Sequence, residues 1–279
     1  MFVSCEEIID IDLDEGVTRL VVEGRVEKIQ GRLSGSQVIK LSTTDDYFSQ
    51  AHTPEVQGAV VVVSDDLNNT FQFMESATEP GSYTTDSLFA ETDRTYTLTI
   101  EYDGDTYTAQ ETLLSVAAID SIYQVYQEDY RPSVHGGNDL DEGYVPTIDY
   151  SDPAGIENYY QWEIYVDGEY RIEADPGNLF RLIQNDELYD GQQVIGHTPD
   201  GHLFLEPGQV VMIRQMSLSR VGYDFLSLFF SQSAERGMFD TPPATIRGNV
   251  INVTDSGHYP LGIFGASEVA EAEIVIQDE

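Results

Sequence analysis

From Arg19 onward apolar and polar residues trade places with a period of two, and this alternation constrains the fold more tightly than any other feature of the chain. Leu20, Val22 and Val26 fall on one side of such a segment while Val21, Glu23, Arg25 and Glu27 fall on the other, as in a half-buried β-strand. Further strands are expected over 38–43, 60–64 and 70–74, punctuated by Gly31, Gly35, Gly58 and the Asn68-Asn69 pair. Tyr96, Leu98, Ile100 and Tyr102 alternate with Thr95, Thr97, Thr99 and Glu101. Asp103-Gly104 then supplies the positive-φ pair of a two-residue hairpin, and 106–112 returns. About seven short strands in roughly 100 residues predict a β-sandwich of immunoglobulin or transthyretin type over 17–116.

The alternation breaks at 115–118, where a domain boundary is expected. Beyond it, 119–126 reads as a strand, and 131–143, rich in Gly, Asp and Asn, as a long loop. A second hairpin signal spans 159–172 around Asp167-Gly168, with Tyr160, Trp162, Ile164 and Val166 on one face. Strands are also expected over 210–217 and 270–276. The one helix expected lies near 223–236, where Phe225, Leu226, Leu228, Phe229 and Phe230 recur at helical spacing before Gly237 as a C-cap. That stripe reads as core packing. The predicted fold class is therefore mostly β. An acidic tether over 1–16 leads into an N-terminal immunoglobulin/transthyretin-like β-sandwich over 17–116. A second β-rich domain with one helix follows over 117–279.

Charge narrows the partners. The 279 residues carry 50 acids against 13 bases, a formal charge of -37, and Lys28 and Lys40 are the only lysines. Such a balance repels phosphate backbones and disfavours nucleic acid, so no nucleic-acid partner is expected. The same self-repulsion penalises a compact state in dilute buffer and fades at ~1 M salt, where the Debye length is about 3 Å. The scarcity of lysine favours adaptation to salt over simple solubility. With 41% hydrophobic residues the chain has ample material for folded cores.

Cys5 is the single cysteine, so no intramolecular disulfide and no cysteine-based metal cluster can form. No apolar run approaches the roughly 20 residues a membrane-spanning helix needs. Phe2-Val3-Ser4-Cys5 nevertheless ends as a bacterial lipoprotein signal peptide ends at its cleavage site, with Met1 to Ser4 as a stub of that signal. The bland alternative is a free cysteine in a frayed tail. Asp10, Asp12 and Asp14 suggest a calcium loop, but Glu15 stands where the loop needs glycine and Val21 where it needs glutamate, so the EF-hand reading fails.

Catalytic signatures are scarce. No Gly-x-Ser-x-Gly element occurs, and the nearest echo, Gly31-Arg32-Leu33-Ser34-Gly35, has the wrong spacing. His197 and His202 flank a turn and would need Asp200 or Glu206 to complete a zinc site, whereas turn histidines that bind nothing are commoner. His52, His135 and His258 have no partners at telling spacing. No metal site is assigned and no cofactor is expected. Asp65-Asp66, the 138–142 stretch and the 103–105 stretch leave structural calcium open, with solvated loop charge as the default reading. Tyr159, Tyr160 and Trp162 are the candidate ligand contacts, since aromatic platforms beside acids suit sugars, but they also alternate as a strand core does.

Several stretches in order resemble one known family: Cys5-Glu6-Glu7-Ile8-Ile9-Asp10-Ile11, Leu20-Val21-Val22-Glu23-Gly24, Tyr96-Thr97-Leu98-Thr99-Ile100, Glu157-Asn158-Tyr159-Tyr160-Gln161-Trp162, the 242–250 segment and Leu261-Gly262-Ile263-Phe264-Gly265-Ala266. They are similar to the Bacteroidota outer-membrane lipoprotein family catalogued as domain-of-unknown-function family 4249. The resemblance implies a protein lipidated at Cys5 on the cell surface, often encoded beside a TonB-dependent receptor, with no established catalytic residues to carry over. The expected function is that of a non-enzymatic lid or capture subunit of a TonB-dependent outer-membrane transporter. The alternatives are a stand-alone adhesin using edge strands and a carbohydrate-active hydrolase.

Overall fold

The computed structural model describes residues 17–45, 53–128, 142–171, 182–200, 203–233 and 245–278. The fold is mostly β with a single helix among the described residues, as the alternation predicts. In the first half β1 (Leu20–Ile29) pairs antiparallel with β2 (Gln37–Thr43), which pairs with β5 (Ser82–Thr85). Next come β4 (Thr70–Glu75), β3 (Val60–Asp65), β6 (Thr95–Tyr102) and β7 (Asp105–Thr112), each antiparallel to its neighbour. Because β4 pairs with β5 on one edge and β3 on the other, the two layers fold over one core. Val22 and Val26, Ile39 and Leu41, Val61 and Val63, Leu98 and Ile100 point into it, while Glu23, Val38, Lys40 and Glu101 point out. Each buried aliphatic side chain there contributes roughly 2 kcal/mol. The hairpin turn has the predicted geometry, with φ of 49° at Asp103 and 83° at Gly104.

In the second half β8 (Ile119–Glu128), β9 (Glu142–Ser151) and β13 (Gln193–His197) form a three-stranded sheet with β9 in the middle. It faces a layer made by β10 (Tyr159–Val166), β11 (Glu169–Arg171), β12 (Ile183–Asn185) and β14 (Val210–Leu218). Ile148 and Tyr150 of β9 pack against Tyr160 and Trp162 of β10 and Ile213 of β14.

A 15-residue strand, β16 (Leu261–Val275), connects the halves. Residues 261–269 run parallel to β1, and residues 269–275 run antiparallel to β14. Phe264 and Ala266 accordingly complete the first core, with Val250 beside them, while Ala270 belongs to the second. Just ahead of that joint, β15 (Ile251–Asn252) adds a short edge to β7. At the changeover Glu268 is buried, accepting hydrogen bonds from Lys28 Nζ (2.6 Å), Gln30 Nε2 (3.2 Å) and the Val116 N–H (3.0 Å). Burial works against its ionised form, yet the bonds from Lys28, Val116 and Gln30 hold its carboxyl below the usual range.

The helix α1 (Arg220–Ser233) begins three residues before the predicted start. Ser219 is its N-cap: Oγ accepts the Gly222 N–H at 3.1 Å and donates to Glu111 at 2.8 Å. Most of the loop expected over 131–143 lies outside the described residues, and its last two positions, Glu142 and Gly143, are already in strand β9.

Candidate functional site

Period-two geometry leaves one face of the joined sheet turned away from both cores. On β1 that face carries Val21, Glu23, Arg25 and Glu27, and strand registers align it with Val38 and Lys40 of β2, Ile263 of β16, Arg214 of β14 and Glu163 of β10. After Leu218 the chain turns at its Ser219 cap and α1 crosses over this face. Helix and sheet do not close completely, and a cleft of about 1080 Å³ remains between them. Phe225, Leu226 and Phe229 of α1 form one wall, and Phe229 stays 46% exposed. The aromatic stripe expected as core packing is thus divided. Phe230 is buried with Tyr159, Ile183 and Leu218, whereas Phe225 and Phe229 line the cleft.

The cleft floor is polar at its centre and internally neutral. Arg214 donates to Glu163 Oε2 at 2.7 Å, to Glu271 Oε1 at 3.1 Å and to Glu27 Oε2. Glu163 also lies 3.6 Å from Arg25, and Glu271 accepts from Arg32 at 2.7 Å. Arg25 donates in addition to Gln161 Oε1 at 2.6 Å. With Arg32 from the turn after β1, three guanidiniums therefore meet three carboxylates over β1, β16, β14 and β10. Burial alone would weaken the proton on Arg214, but the charges of Glu27 and Glu163 bind it more tightly than in water. At the helix end of the cleft, burial raises the Glu111 carboxyl above its ordinary range, although Ser219 Oγ and the Thr112 N–H donate to it. Such an arrangement can hold a ligand. It presents neither a serine–histidine nor a cysteine–histidine pair among the described residues, because His197 packs half-buried against Trp162 and His258 bonds Asp105 and the Thr18 carbonyl.

Residues 6–273 match the family model described as Domain of unknown function (DUF4249). The chain belongs to this family. A DUF4785 family protein from Legionella pneumophila subsp. pneumophila str. Philadelphia 1 is a structural neighbour at 11% identity, with 73% of this chain and 54% of that one covered. The DUF4249 chain thus spans about half of that protein, and a TM-score of 0.25 is too low to carry argument. No curated protein matches.

Of the residues singled out in the sequence, Cys5, His52, His135 and His202 lie outside the described part of this DUF4249 chain. Tyr160 and Trp162 are side by side, but in the core beneath the three-stranded sheet and away from the cleft. Trp162 is 0% exposed and donates Nε1–H to Gln215 at 2.9 Å, and the Tyr160 hydroxyl donates to Asp152 at 2.5 Å. Neither ring offers a face to a ligand. Tyr159 packs on Tyr223 of α1, ring centres 5.0 Å apart, which helps hold the helix over the sheet. The His197 ring centre lies 4.2 Å from that of Trp162 with the planes tilted by 42°, its Nε2 has no hydrogen-bond partner, and burial lowers its pKa to about 4.

Among the described residues one acidic trio could accommodate a cation: ligand oxygens of Asp152, Asp186 and Asp190 lie within 4.8 Å of one another. Their separation in sequence hid it. Each already serves its own turns, with Gly191 N–H and Tyr160 on Asp152, Asn158 on Asp186 and Gly155 N–H on Asp190. Burial raises the Asp152 carboxyl, with Asp186 and Asp190 adding to the effect. Asp65 similarly accepts the Leu67 and Asn69 N–H groups of its own loop, and Asp105 ties Asn252 and His258 to β7.

Proposed function

We propose that this chain is a non-enzymatic, lipid-anchored surface protein. It holds a small molecule between α1 and the sheet and acts as a lid or capture subunit of a TonB-dependent outer-membrane transporter. The observation that carries the binding half is the cleft: a preformed concavity of about 1080 Å³ with aromatic and aliphatic walls and a few converging polar groups. Its central carboxylates are committed to guanidiniums, so the floor fixes orientation without offering an unpaired acid–base couple there. The anchoring half is supported by Cys5 with the acids that follow it and by the resemblance to surface lipoproteins.

Mass spectrometry of the N-terminal peptide from native cells tests the anchor directly. Diacylglyceryl on the Cys5 thiol is the expected result, and an unmodified thiol on a protein recovered from the soluble fraction would refute it.

A further inference from the structure

In a chain with 50 acids and 13 bases, a cation without a carboxylate is unusual. Among the described residues Arg25, Lys28, Arg32, Arg94, Arg171, Arg214 and Arg220 each have a carboxylate within 4.0 Å. Arg19, Lys40 and Arg247 have none there. Two of these three stack on a single ring: the guanidinium carbon of Arg19 lies 3.5 Å from the Tyr259 ring centre and that of Arg247 lies 3.7 Å from it. Arg19 also donates Nη1–H to the Tyr259 carbonyl at 3.0 Å, which fixes its side chain over the ring. Bringing two like charges to one aromatic ring is favourable to each through cation–π attraction and unfavourable between them. An anion between or beside them removes the second effect.

Arg19, Tyr259 and Arg247 are not themselves part of the cleft lining, but each lies within two residues of one that is. Val21 and Leu261 are register partners that both line the cleft, and Arg19 and Tyr259 each lie two residues before them in the chain, just outside the starts of β1 and β16. Arg247 directly follows Ile246, another lining residue, and is exposed. Lys40 adds a further cation to the lining, with Glu23 opposite it across the strands. The Arg214 network is neutral, Lys40 faces Glu23, and burial favours the neutral form of Glu111, so the neighbouring stack decides which charge a ligand should carry. The net charge of -37 opposes anions at long range, but at 0.15 M salt the Debye length is about 8 Å and the local guanidiniums prevail.

We infer that the cleft takes an amphipathic anion, an apolar chain or ring system lying against Phe225, Phe229, Val38 and Ile263 with its carboxylate or phosphate held at the Arg19–Tyr259–Arg247 stack. This deepens the binding-protein reading of the same cleft and rests on it.

Calorimetric titration of the whole chain with monomeric decanoate, decanol and decyltrimethylammonium tests the inference. Decanoate binds best if it is right. Arg247→Gln weakens decanoate about tenfold and leaves decanol unchanged, and Arg247→Lys restores most of the loss. Arg247 is exposed, and an unchanged melting temperature for R247Q verifies that the variant is folded. Decanol binding as tightly as decanoate, or an R247Q variant indistinguishable from the parent, overturns the anion preference while the cleft remains a binding site. Failure of all three amphiphiles to bind removes the cleft itself.

Discussion

Arg214 shows what single residues contribute. It faces Glu27, Glu163 and Glu271 with only 11% of its side chain exposed, so Arg214→Ala leaves three carboxylates crowded over the sheet without their shared cation. We expect a loss of about 3 kcal/mol in urea unfolding, the cost typical of stripping one partner from a largely buried ion pair. A loss below about 1 kcal/mol would mean that solvent already screens the network. None of this was legible in the sequence, because the partners stand at 25, 27, 163, 214 and 271 and meet only through strand registers.

His197 makes a pH prediction of definite sign. Its pKa is near 6.5 in the unfolded chain and about 4 in the fold, so between those values the unfolded state binds more protons. Its contribution is complete above pH 6.5 and is lost as the pH falls toward 4, a change on the order of 3 kcal/mol. Unfolding measured across that window should show the stability of the parent falling more steeply than that of His197→Phe. Parallel curves would contradict the burial of the imidazole against Trp162.

At the scale of elements, the alternation exposed strands with one wet face and concealed those with none. Strands β1, β2, β6 and β7 have alternating inner and outer residues and were readable. Strand β9 was not, since Gly143 to Ile148 are buried without interruption and Pro146 reads as a breaker. The beginning of β16 lay outside the strand expected over 270–276, because Gly262 and Gly265 interrupt the apolar pattern that marks a strand. Gly262 has a φ of 85°, and a Cβ there would meet the Val22 carbonyl of β1, so only glycine permits the close parallel pairing. Gly262→Ala should therefore lower the melting temperature markedly, whereas Gly104→Ala, where nothing lies within 4 Å, should cost only the strain of its positive φ. Equal losses would indicate that backbone conformation and not β1 contact governs position 262. The helix start was misplaced because Ser219 and Gly222 look like loop residues. Ser219→Ala removes both the cap and the bond to Glu111 and should destabilise the chain by about 1 kcal/mol in thermal unfolding, and no change would show that neither contributes.

For the molecule as a whole, β16 makes the two halves share a strand, and the cleft exists because one sheet face continues across that joint beneath α1. Mostly-β class and one helix follow from periodicity, but the cleft follows from tertiary registers and from a helix that covers only part of the sheet. The acidic surface adds a bulk prediction: melting temperature should rise clearly as NaCl goes from millimolar to ~1 M, since screening relieves the repulsion of a chain at -37. A flat response would remove the salt-adaptation reading. The role in transport is tested most directly by affinity purification of the full-length chain from native outer membranes under mild detergent. The proposed function predicts that a β-barrel transporter co-purifies in a fixed ratio, and recovery of the chain alone, from membranes shown to retain intact transporter complexes, would contradict it.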